Sequence, residues 1–174
     1  MKVFIKNQQR LIKINQQKIK SDSMKVLRLS GLKGAELSIL LVNDRRMKAL
    51  NSLYRGVDKT TDVLSFPQLS SKVLSSASRL RRQKFKSSKV ALPLLNYRTP
   101  ALVLGDIVIN LQAAKRQAPE HRLSFNEELR WLLVHGILHL IGYDHEKNKY
   151  AARKMLIKER ELLEKLQKAS LFET

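Results

Sequence analysis

Val3 and Ile5, two apart within VFIKN (residues 3–7), give the period-two pattern of a short strand at a sheet edge. Over residues 11–30, Leu11, Ile12, Ile14, Ile19, Val26, Leu27 and Leu29 recur among lysines. That spacing predicts a basic amphipathic helix, ended by Gly31. ELSILLVN (36–43) is apolar enough for a buried strand, and Asp44 is placed to cap a helix over RRMKALNSLYR, which Gly56 breaks. DVLSFP (62–67) is a further strand, stopped by Pro67. ALVLGDIVIN (101–110) predicts a fourth, followed by a helix from Leu111 to about Ala118. Ser124 and Glu127 form a capping box, so another helix begins there. It then turns apolar on every side, through WLLV and HGILHLI, as a central buried helix does. Gly142 can end it in the left-handed conformation, and residues 146–169 form a charged amphipathic helix.

Residues 68–100 break this pattern. They carry eight Lys or Arg and no acid, with Pro93 and Pro100, and read as a long basic loop with a helical piece around Ser78–Lys86. No internal repeat is present. Strands mixed with helices, one of them buried, predict an α/β or α+β layer fold, a small mixed sheet covered by helices. A length of 174 residues suits one domain over 1–174, with the 68–100 segment as an insertion.

Composition changes the picture in two ways. Cysteine is absent, so disulfides and thiolate ligands are excluded and the cytoplasm is the default compartment. The formal net charge of +19 calls for a polyanionic partner. Nucleic acid is the first candidate and an anionic membrane surface the second. No apolar run is long enough to span a bilayer. The N-terminus, MKVFIKNQQR, has the basic charge of a transit peptide but lacks the apolar core of a signal peptide; its alternation reads as the edge strand.

Three of the four histidines fall within HGILHLIGYDH, residues 135–145. His135 and His139, four apart on a helix, leave the same face one turn from each other. Gly142 lets the chain reverse and bring in His145. Three neutral imidazoles can then converge on one cation and leave a fourth position open, the catalytic pattern for Zn²⁺. As ordinary core histidines, three imidazoles left unpaired on so apolar a helix would be costly. The same spacing occurs in metzincin proteases, but there a Glu follows the first His and serves as the general base. Here Gly136 stands in its place.

HGILHLIGYDH, YRGVDKTTDVLSFP (54–67) and LGDIVIN (104–110), in this order and spacing, resemble the YbeY family of metal-dependent endoribonucleases. The resemblance covers essentially residues 1–170, and the 68–100 segment is longer and more basic than the family's pattern. It implies zinc ligands at His135, His139 and His145, one ion per chain, and an activity-associated arginine at Arg55. It also implies single-stranded RNA as substrate, with roles in processing of small-subunit ribosomal RNA, its 3′ end especially, and in ribosome quality control. Arg55 with zinc could hold the phosphate and the added charge of the transition state. Asp62, Asp106 and Asp144 are candidates to orient the ligands or to act as base, and each is equally a capping or turn residue. His121, outside the motif, reads as a surface loop residue. A zinc metalloprotease and a non-catalytic ribosome assembly factor with a structural metal are the competing readings.

Overall fold

The computed structural model describes residues 1–68 and 102–171. Nine elements follow along them: β1 (Lys2–Asn7), α1 (Gln16–Leu29), β2 (Ala35–Val42), α2 (Asp44–Arg55), β3 (Val63–Pro67), β4 (Leu102–Asn110), α3 (Leu111–Glu120), α4 (Phe125–Leu140) and α5 (Lys149–Leu171). The basic 68–100 segment, with its expected helical piece, lies almost wholly outside the described residues.

The strands form one mixed sheet in the order β1-β2-β4-β3. β1 pairs parallel with β2, β2 parallel with β4, and β3 antiparallel with β4. β1 is thus an edge strand, as its alternation predicts. On one face, Leu37, Ile39, Ile107 and Ile109 meet Val26 and Leu27 of α1, Leu132, Leu133 and Ile137 of α4, and Leu162 of α5 in the main core. On the other face Met47 and Leu50 of α2 pack on Val42, Leu64 and Val108. A small mixed sheet layered with helices is the architecture expected, and α4 is its buried helix.

Where local reading and structure differ, side-chain hydrogen bonds explain the difference. α1 begins five residues later than periodicity suggests. Asn15 caps it by accepting the Lys18 N–H, and the buried Gln9 holds residues 9–12 in a turn by bonding both backbone groups of Ile12. The cap of α2 is Asn43, not Asp44: the Asn43 side chain accepts the Arg46 N–H at 3.0 Å. Asp44 is left to accept from the Arg116 guanidinium at 2.6 and 2.9 Å.

Two glycines set how closely the layers approach. Gly105, at φ +135°, follows a bulge in β4, and a Cβ there would run into the Phe66 carbonyl. Gly136 lies where α4 crosses the sheet: a Cβ would stand 3.0 Å from two carbons of Ile107 and 3.3 Å from Ser65 Oγ.

Candidate metal centre and active site

α4 is built to hold its histidines still. Its first turn carries the full capping box, Ser124 Oγ accepting the Glu127 N–H while Glu127 accepts the Ser124 N–H. Its last turn closes by two crossed bonds, Gly142 N–H to the His139 carbonyl and Tyr143 N–H to that of Leu138, both 3.0 Å. This is the Schellman arrangement, and it needs a left-handed residue at its corner. Gly142 supplies it, at φ +94°. The chain turns back there and delivers His145 to the pair on the helix.

The three rings meet. Their ligand nitrogens all lie within 4.8 Å of one another, and the three ring centroids stand 4.7 to 5.2 Å apart. His135 and His139 bring their Nε2 atoms to 3.0 Å. Two nitrogens each about 2.0–2.1 Å from one ion, at a tetrahedral angle, would stand roughly 3.3 Å apart, so the pair fits a shared cation with little movement. His145 is exposed, which opens the cluster to solvent. Burial, and then the rings of His135 and His145, hold the His139 pKa below that of an ordinary imidazole. The neutral form, which is the ligand form, is therefore favoured.

A carboxylate on α5 orients the first of these rings. Glu159, only 5% exposed, accepts from His135 Nδ1 at 2.6 Å. The proton is thereby held on Nδ1, and the Nε2 lone pair faces the other two histidines. Trp131 lies against the same ring, centroids 5.2 Å apart.

Asp62 and Asp144 accept local backbone N–H groups, and Asp106 stands on the other face of the sheet. Asp62 accepts the Val63 N–H at 2.7 Å and caps the start of β3. Asp106 pairs in register with Ser38 and Phe66, on the sheet face opposite to Ile107 and α4. Asp144 accepts the Glu146 N–H at 2.9 Å and shapes the turn that presents His145. Glu159 could have been suspected from sequence, because it falls on the apolar stripe of α5 with Met155, Leu162 and Leu166. Its partner could not.

His121 is exposed in a turn, as expected of a surface loop residue, but it is not unpartnered. It ends α3 and bonds the fully buried Glu128 at 2.8 Å, its ring edge-on to Trp131. The Glu128 hydrogen bond, and then its charge, raise the His121 pKa.

Arg55 closes α2, whose cap is Gly56 in the left-handed conformation at φ +69°. The following loop is held by Asn51, which donates to the Lys59 carbonyl at 2.7 Å. The Arg55 guanidinium reaches Glu146, the neighbour of His145, at 3.9 Å. The fold thus carries Arg55 to the histidine turn from 90 residues away in the chain. So long and exposed a pair contributes little and leaves the guanidinium available. Asn110 fastens this side of the molecule: its amide donates to Asp44 Oδ1 and Thr60 Oγ1, and its carbonyl oxygen caps α3. Asn110 thus ties the 104–110 motif to the 54–67 motif, and Arg55 brings the latter beside the histidine turn.

Gly136 decides against metzincin-like chemistry on space as well as on composition. A Glu there would have to occupy the contact between α4 and the fully buried Ile107.

The chain is similar to known proteins over most of its length. The family model described as Endoribonuclease YbeY matches residues 4–167. The chain is 36% identical to the Endoribonuclease YbeY of Aquifex aeolicus, over 91% of this chain and 92% of that one. It is 44% identical to that of Leptospira interrogans over 76% of this chain and 87% of that one. The solution structure of a Thermotoga maritima protein shares the fold, with a TM-score of 0.60 at 22% identity over 98% of this chain and 93% of that one. With its motifs, its fold and this match over nearly its whole length, the chain belongs to the YbeY family of endoribonucleases.

Proposed function

We propose that the chain is a zinc-dependent endoribonuclease that cuts single-stranded RNA. Its expected roles are in the processing of small-subunit ribosomal RNA, at the 3′ end especially, and in ribosome quality control. Its expected compartment is the cytoplasm. The observation that carries this reading is the convergence of His135, His139 and His145 at one solvent-open point, within a chain of the endoribonuclease family. Three nitrogen donors without a thiolate suit Zn²⁺. The solvent-exposed third ligand favours a catalytic over a structural ion. The chemistry such an ion supplies is polarisation of a phosphoryl oxygen and acidification of water toward neutral pH.

The chain's own residues do the rest. Glu159 keeps the His135 proton on Nδ1, so Nε2 stays a ligand. Arg55 exchanges its weak Glu146 contact for the scissile phosphate and takes the added negative charge through its planar fork. The many other cations attract RNA without regard to sequence.

The test is cleavage of single-stranded RNA by metal-loaded and chelated protein, with metal content measured by elemental analysis. The loaded protein should hold about one ion and cleave; the chelated protein should keep its circular dichroism and stop cleaving. His139→Ala should hold no ion, and undiminished metal in it would refute the ligand assignment. Arg55→Lys keeps the charge but lacks the fork, so cleavage should fall by roughly 10²-fold or more while RNA affinity stays near that of the wild type.

A further inference from the structure

The turn that delivers His145 also walls an open pocket of about 290 Å³ against the start of α5. That is the lower end of the range for small-ligand pockets, roughly 300–1,000 Å³. Tyr143 and Asp144 line it from the turn, Lys147 from the linker, and Tyr150 and Lys154 from α5. Tyr150 is 78% exposed, the most exposed of the chain's large hydrophobic side chains among the described residues. The Lys154 ammonium stands over the Tyr143 ring, 5.7 Å from its centroid.

Two aromatic rings and two ammonium groups around one hollow match the chemistry of a nucleotide. A base stacks on an aromatic face whatever its sequence, and lysines neutralise phosphate. Asp144 argues against a bare anion as occupant. One of its oxygens accepts the Glu146 N–H, and the other is an acceptor for a hydroxyl or amino donor. A nucleotide has such donors, and inorganic phosphate at neutral pH has few.

We propose that this pocket binds one nucleotide of the single-stranded RNA, its base stacked on Tyr150 and its phosphate held by Lys147 and Lys154. The inference rests on the endoribonuclease reading and names a subsite next to that site. Asp144 precedes His145 in the chain, so the pocket and the metal centre share one turn.

The experiment is fluorescence anisotropy of a labelled mixed-sequence single-stranded RNA across a salt series, in chelator so that no cleavage occurs. It uses wild type, Tyr150→Ala, Tyr150→Phe and the double variant Lys147→Gln/Lys154→Gln. Tyr150→Ala should weaken binding about 5-fold or more, from the loss of one stacked base. Tyr150→Phe should bind as wild type. The double variant should flatten the slope of log affinity against log salt by up to about 1.4, some 0.7 for each phosphate contact. Wild-type affinity in Tyr150→Ala, or equal losses in the Phe and Ala variants, would overturn the stacking. Unchanged slope in the double variant would overturn the phosphate contact. A metal-loaded wild type that cleaves nothing, with Tyr150→Ala still weakened in binding, defeats the nuclease reading and leaves the pocket standing. Failure of the wild type to bind RNA defeats both.

Discussion

Glu159 shows what one residue contributes beyond the ligands themselves. It is a buried carboxylate at hydrogen-bond distance, 2.6 Å, from His135 Nδ1. Ala in its place removes the acceptor that selects the tautomer and lets the ring turn. Partners of metal-bound histidines typically alter affinity by about 10–100-fold. Glu159→Ala should weaken zinc by that factor, and Glu159→Gln, which keeps an acceptor oxygen, should weaken it less. A chelator competition titration measures both; equal zinc affinity in wild type and Glu159→Ala would rule out the orienting role. At this scale the histidines were legible, because ligands four apart on a helix share a face by geometry alone. Glu159 was half legible. A charge on an apolar stripe announces that it is paired, but not with what.

Among the elements, α4 depends on both its ends for different reasons. Ser124 caps the start, far from the histidines; Gly142 makes the turn beside them. Ser124→Ala should cost about 1 kcal/mol of stability, the usual worth of an N-cap, and leave zinc affinity alone. Gly142→Ala forces a side chain into the left-handed region at a cost of about 1–2 kcal/mol. It should in addition weaken zinc, because the turn carries His145. Thermal or denaturant melts of the metal-free proteins, together with zinc titrations, separate the two effects. Both ends were readable in the sequence, as S-x-x-E before an apolar run and Gly after it, since capping acts within a few residues. The start of α1 was not: Gln9 and Asn15 hold the chain out of helix by side-chain bonds that periodicity does not register. The cap of α2 falls one residue before Asp44, since Asn43 and Asp44 are both good caps and Arg116 engages Asp44.

For the molecule as a whole, the His121–Glu128 pair joins the end of α3 to the interior of α4 and gives stability a pH dependence. Its hydrogen bond raises the folded-state pKa of His121 above the ordinary value near 6.5. Such a group adds stability that is fully present below pH about 6.5 and is lost as pH rises through the folded value. The wild type should therefore lose stability over the pH range just above 6.5, and His121→Gln should lack that decline. Because Glu128 is fully buried, the variant should also be less stable throughout, by roughly 1–3 kcal/mol for a weakened buried bond. Melting temperature against pH for the two proteins is the measurement, and parallel curves would remove the pair from the account. The same pair shows the short reach of a local sequence pattern. His121 follows Pro119 and Glu120 in a polar stretch, and nothing local to it signals a buried carboxylate seven residues on.

What the sequence by itself determined is whatever acts over one or two turns of chain. The alternation of β1, the apolar circumference of α4, the capping box, the Gly142 turn and the histidine spacing all follow from backbone geometry and local hydrogen bonding, and all stand in the structure. Only the tertiary structure decided which distant groups meet: Glu159 with His135, His121 with Glu128, Arg55 with the turn after Gly142, Asn110 with Asp44 and Thr60. It also decided that Gly136 on α4 must be small, because Ile107 of β4 fills the space a side chain would need. These contacts are settled by how layers pack, and packing selects partners by shape and burial across the whole chain, with no local pattern to mark them.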